Sequence, residues 1–284
     1  MNYHEMIAKG FEGEPYSMFF HVWPWIGLGA AIVLLFLIFC TDFLRSDKTK
    51  SRFLDPVSLA WMGSVIYMLH NVEEYGIDIY GNQQAFTTLM YQLMGFRISE
   101  AAFLCCNLGL VWVVGPLTAV MVKKGYHRMA AGMALFEIIN GTMHIVQAIS
   151  LGSYNPGLLN SAVLCYPVGI WTLYALYGKA KFPKMDILWL FLGALFYHVV
   201  LMAGIVGATK LGVPAWAQGL IMVADAVCVF WFWWLVGRKG GDSLIVAAPH
   251  DESAGRLLLL RKTIIGRVLR YIGQNGLTIK CMTI

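Results

Sequence analysis

The chain has 284 residues, of which 58% are hydrophobic and 13% charged, with mean hydropathy +0.64 and a formal net charge of +5. Soluble domains carry about 25% charged residues, so this balance excludes an ordinary soluble globule and predicts an all-α, polytopic transmembrane helical bundle. The positive charge is not a nucleic-acid signature, because the basic residues gather at the ends of apolar runs.

In chain order, residues 1–17 form an expected extracytoplasmic segment. It carries Glu5, Glu12 and Glu14 where a signal peptide has a basic region, and the apolar run that follows is too long for a signal core, so no cleavable leader is expected. A bilayer needs about 20 apolar residues per crossing, and on that scale residues 18–236 hold about seven. They run from Met18 to Leu44, Val57 to Glu74, Ile98 to Val122, Met129 to Leu151, Leu158 to Tyr177, Met185 to Ala208 and Val213 to Val236. The second is the shortest.

The flanks give an orientation. Arg45, Lys48, Lys50 and Arg52 follow the first run, Lys123, Lys124 and Arg128 the third, Lys179, Lys181 and Lys184 the fifth, and Arg238 and Lys239 the seventh. The alternate connections hold only Arg97 and Lys210. Positive charge stays on the cytoplasmic side, which predicts the N-terminus outside and the C-terminus inside. His21, beside Trp23 and Trp25, reads as interfacial anchoring. Residues 237–284 form a basic cytoplasmic tail whose stretch from Ala254 to Ile272 mixes aliphatic side chains with Arg and Lys, as an amphipathic surface helix does. Of the six cysteines all but Cys281 lie in apolar runs, which predicts packed free thiols and neither disulfides nor a zinc knuckle.

The second run ends on His70-Asn71-Val72-Glu73-Glu74. A charged group costs roughly 2.5–3.5 kcal/mol at the centre of a membrane helix and less near its end, so three ionisable groups in five residues need a reason. On a helix His70 shares a face with Glu73 and Glu74. At ~1.5 Å per residue His70 lies about 20 Å above Val57 and His144 about 22 Å above Met129, which puts the two histidines level towards the outer leaflet. Glu100 opens the third run, Asn107 lies two turns deeper, and Glu137, Asn140, His144 and Gln147 make a polar stripe on the fourth. Asn107 and Asn140 also suit plain interhelical hydrogen bonds, and Glu100 a solvated pair with Arg97. His198 and Asp225 fall near mid-membrane in the sixth and seventh runs.

These residues resemble the HXXEE-motif membrane proteins, a family without a settled activity. The signature stands as His70 to Glu74, followed by Asn107, by Asn140-Gly-Thr-Met-His144, by the loop Tyr154-Asn155-Pro156-Gly157 and by Pro167. The resemblance covers residues 60–175. It implies which residues matter and names no reaction.

The function expected is an intramembrane enzyme on a lipid or isoprenoid-like ligand. One version holds a divalent transition metal such as zinc on His70, His144 and Glu73 or Glu74, with the other glutamate as general base. Tyr154 places a hydroxyl over the site. A metal-free version uses a buried glutamate with His70 for acid–base isomerisation or cyclisation. The alternative is a proton-coupled transporter, with a relay from Glu74 and His144 to Glu137, Asp225 and His198. A polar path through the full thickness favours transport; confinement to the outer half favours an enzyme. A receptor or scaffold leaves His-x-x-Glu-Glu unexplained.

Overall fold

The structure, a computed structural model, describes residues 1–179 and 183–238. The amphipathic stretch expected in the tail, and Cys281, lie outside the described residues.

Among the described residues the chain is helical and forms no strand. A short helix α1 (Tyr3–Lys9) precedes α2 (Met18–Cys40), which Ser17 caps by accepting from the Phe20 N–H at 3.2 Å. The loop to α3 (Pro56–Asn71) is organised by Asp55. Its carboxylate accepts from the N–H groups of Val57 and Ser58, both at 3.0 Å, and from Ser46 and Asp47 across the loop. Asp55 followed by proline in the first turn is a strong helix start. A second short helix, α4 (Ala85–Met94), leads to α5 (Glu100–Lys123), α6 (Arg128–Leu151), α7 (Leu158–Leu176), α8 (Lys184–Lys210) and α9 (Ala215–Arg238). Two of the long helices are not uniformly wound. α5 widens into a π turn at Leu108–Val114, just before Pro116, and α7 does so at Ser161–Cys165, just before Pro167. Proline has no N–H to donate and collides with the carbonyl four residues back, and a wider turn relieves both defects without ending the helix.

Among the described residues six helices are long and apolar enough to cross a membrane: α2, α5, α6, α7, α8 and α9. The stretch from Val57 to Glu74 is helical as expected but is not among the six. Its polar residues lower its hydropathy, and its position explains why that is tolerated. α3 packs against α2, the second half of α5, α6 and α7, and most of its side chains are buried. A helix wrapped by its neighbours need not present an apolar surface to lipid. α8 packs on α6, and α9 closes the other side against α8 and the first half of α5.

Trp23 is fully buried with Phe20, Tyr75 and Phe103, whereas Trp25 is exposed. Its ring fills the space beside Tyr75, 5.3 Å between centroids. α1 lies on α4, and Tyr3 is buried against Tyr154 with its backbone N–H on Ser153 Oγ at 3.1 Å and its hydroxyl on Asp78. The five cysteines among the described residues are free thiols, as expected, but Cys40 and Cys228 are exposed on the helix surface and not packed.

Candidate functional site

The site grows from the end of α3. At Asn71 the α winding gives way to a π turn, Val72–Gly76, closed by the Ile77 N–H on the Val72 carbonyl at 2.8 Å. π turns occur often at functional sites because they redirect side chains within a continuous helix. Here Glu73 and Glu74 leave the turn towards different neighbours.

Glu74 faces two imidazoles. Its Oε2 lies 3.5 Å from His70 Nε2 and its Oε1 3.4 Å from His144 Nε2. The two rings stand edge to face with centroids 4.8 Å apart. One ligand atom from each of the three residues lies within 4.8 Å of the others, and all three side chains are buried. The His–Glu separations exceed a good hydrogen bond. Each is close to the spacing of about 3.3 Å between neighbouring ligand atoms of a tetrahedral zinc site, though the two run to different Glu74 oxygens.

Each histidine carries a further clue. Asn155 Nδ2 donates to the His144 carbonyl at 2.8 Å, which fixes the amide so that its Oδ1 meets His144 Nδ1, also at 2.8 Å. An amide oxygen only accepts, so His144 Nδ1 holds a proton, and in the neutral ring Nε2 keeps a free lone pair on the side of Glu74. That is the outer-shell contact that orients a metal-ligating imidazole. His70 is fully buried and neither ring nitrogen has a hydrogen-bond partner. An unsatisfied buried polar group costs about 1–3 kcal/mol, a deficit that a bound ion removes.

The loop before α7 closes the site from outside. Gly157, at φ +94°, lies directly on the imidazoles: a Cβ there would sit 2.6 Å from His144 Cε1 and 2.7 Å from His70 Cε1. Only glycine takes both that backbone conformation and that approach. Glu73 is spent elsewhere. Its Oε1 accepts from the Tyr154 hydroxyl at 2.8 Å and the Leu159 N–H at 3.0 Å, and its Oε2 from the Asn160 N–H at 2.7 Å. It therefore caps the start of α7, where a carboxylate meets both unpaired N–H groups and the positive end of the helix dipole. Burial and the Glu73 carboxylate push the Tyr154 phenol well up, so that it stays a donor.

Glu74 and His144 form part of the wall of a cavity of about 760 Å³ between α4, α5, α6, α8 and the π turn. Asn107 and Asn140 also line it, and each is committed to a tyrosine. Asn140 Nδ2 donates to the Tyr67 hydroxyl at 2.8 Å, and Asn107 Nδ2 to the Tyr75 hydroxyl at 3.2 Å. His198 lines the far side, its Nδ1 on the Ala194 carbonyl at 2.8 Å and its ring stacked on Phe136.

The remaining expected residues lie apart. Glu137 is buried against Gly63 of α3, and Asp225 is buried on α9; neither lines the cavity. Glu100 accepts from the Ser17 backbone N–H at 2.8 Å and from the Ser17 hydroxyl, and so ties α5 to the start of α2. Arg97 does not pair with it in an ion bridge; its guanidinium lies over the rings of Phe11 and Tyr16. His21 Nδ1 contacts Gln84 Nε2 at 2.7 Å.

Three participants go unmarked in the sequence reading as site residues. Asn155 stands inside the Tyr-x-Pro-Gly loop and passes for a turn residue. Tyr67, three residues before His70, and Tyr75, directly after Glu74, bracket the motif, and in an aromatic-rich span they look like core.

Residues 61–172 match a family model described as a protein of unknown function with HXXEE motif. The matched stretch contains His70, Glu74, His144 and the loop from Tyr154 to Gly157, and leaves α8 and α9 outside. No curated protein and no solved structure matches the chain.

Proposed function

We propose that the protein is a seven-crossing integral membrane enzyme, N-terminus outside and C-terminus cytoplasmic, that acts on a lipid or isoprenoid-like substrate. α3 is the seventh crossing, sheltered by its neighbours, and the basic flanks support the orientation. His70, Glu74 and His144 hold a divalent transition metal such as zinc. Three protein ligands with a position left over is the pattern of a catalytic zinc, and a metal held so supplies Lewis-acid polarisation of a substrate oxygen, which makes hydrolysis the first reaction to test.

The observation that carries this reading is the buried His70 ring whose nitrogens make no hydrogen bond, set beside Glu74 and His144. Around it the chain supplies orientation and dryness. Asn155 aims the His144 lone pair, Gly157 closes the outer side, and the mostly apolar cavity keeps water from competing for the polar groups. Glu73 serves this site as the clamp that fixes the Tyr154–Gly157 loop. Transport draws less support: Glu74, His144 and His198 share one chamber, while Glu137 and Asp225 lie off it.

The test is the metal content of detergent-purified protein by mass spectrometry, wild type beside His70→Ala and His144→Ala. The expected result is close to one metal per chain, lost in both variants. A folded wild type without metal would overturn the metal centre and move the chemistry to acid–base catalysis by Glu74.

A further inference from the structure

The cavity wall says more about the ligand than its size does. About 760 Å³ is within the range of pockets for drug-sized ligands. Its lining is chiefly apolar, with Phe86, Phe103, Met90, Met202 and Ile205 among it, and no Lys or Arg is present. Sites for phosphate or carboxylate groups are built from fixed cationic donors, Arg above all. Here the one acidic group in the wall is Glu74, which repels an anion. A metal on its ligands offsets that charge without adding the forked donors that a phosphate or diphosphate uses.

The polar groups of the wall include Thr142, Gln147 and His198, and two others are prepared as donors. Tyr67 and Tyr75 line the cavity, and each hydroxyl oxygen accepts from an asparagine amide, Asn140 in one case and Asn107 in the other. An amide N–H occupies the oxygen, so the hydroxyl's own proton points elsewhere. Neither hydroxyl donates to a protein acceptor among the described residues. Two prepared O–H donors next to Glu74 call for a ligand with acceptor oxygens.

The mouth is marked as well. Of the lining residues, Val146 on α6 and Val199 on α8 are 55% and 57% exposed on the apolar outer surface of the bundle, and Met143 and Leu195 are exposed beside them.

From these three observations we infer that the cavity takes a lipid with an uncharged, oxygen-bearing head, such as an ester, ketone or alcohol. The hydroxyls of Tyr67 and Tyr75 donate to its oxygens, and its chain leaves between α6 and α8 into the bilayer. The assignment of Glu74 to the reacting end rests on the function proposed above; the choice of head rests on the wall alone.

The experiment is competition against a diazirine-bearing monoacylglycerol photoprobe on the full chain in nanodiscs, with methyl oleate, oleyl phosphate and octadecene as competitors. Methyl oleate is expected to compete at least about tenfold better than the other two, and Tyr67→Phe and Tyr75→Phe each to weaken it roughly fivefold while octadecene is unaffected. Val199→Trp, at the mouth, should reduce labelling with every competitor series. The inference is overturned if oleyl phosphate competes best, if both Phe variants bind methyl oleate like wild type, or if no probe labels saturably. Metal content read on the same samples separates the two readings. Metal-loaded protein that prefers the phosphate sinks the choice of head; metal-free protein that prefers the ester sinks the metal enzyme and leaves the ligand standing.

Discussion

Glu73 and Glu74 are adjacent in the chain, yet Glu74 lies within 3.5 Å of two imidazoles while Glu73 is bonded to Tyr154 and to the first N–H groups of α7. One carboxylate faces the histidines and the other holds a loop. The two substitutions to glutamine should therefore part ways. Glu74→Gln is expected to lose the metal, and its thermal midpoint to fall to that of chelator-treated wild type and no further. Glu73→Gln should keep it and lose about 1.5–3 kcal/mol, the worth of hydrogen bonds to a charged group. Metal stoichiometry and melting, measured on both, check the division; a Glu73 variant that loses metal at unchanged stability would reverse it.

Gly157→Ala places a methyl group against both imidazoles at a backbone angle that alanine resists. Overpacking of this kind costs typically about 1–3 kcal/mol, and here the strain falls on the ligand rings. Metal affinity, measured by chelator competition, should drop along with stability. Gly152→Ala is the control: it also has positive φ, but nothing lies within 4 Å of its Cβ position, so it should leave metal affinity alone.

Asn155 sets the proton of His144. Asn155→Ala should weaken metal binding by about 10–100-fold, the usual effect of removing a partner behind a ligand histidine. Asn155→Asp keeps the acceptor and should hold affinity within a few fold, at some cost to the loop because the bond to the His144 carbonyl is gone. Equal losses in both variants would show that the amide is only a loop brace.

A pH effect is expected far from the site. His127, in the turn before α6, is half-buried, and burial lowers its pKa. The unfolded chain takes up a proton near pH 6.5 that the folded chain refuses, so stability falls as pH drops below that value. The thermal midpoint should decline between pH 7.5 and 5.5, and His127→Gln should make the decline shallower. An identical slope in the variant would place the titration elsewhere.

Much of this was legible in the residues. A fixed rise per residue put His70 and His144 level, and their rings are 4.8 Å apart. The same arithmetic put Asn107 and Asn140 in the neighbourhood, and both reach the cavity. What periodicity could not tell was which glutamate faces inward, because the π turn at Val72–Gly76 breaks the regular angle on which such a reading depends. Depth alone also drew Glu100 into the cluster, whereas its partner is Ser17, distant in sequence and visible only once α2 and α5 are packed. Hydropathy ranks α3 lowest for the reason that makes it central: its polar residues face other helices.

The exposed valines at the mouth between α6 and α8 decide how the protein would count its ligand. A molecule that reaches the chamber sideways is never at its bulk aqueous concentration when it binds; it is present as a mole fraction of the surrounding lipid. Diluting the membrane with inert lipid at constant total ligand should then lower occupancy, while diluting the suspension with buffer should not. Saturation would follow a two-dimensional concentration, and the composition of the bilayer would tune the output of the site without touching one of its residues.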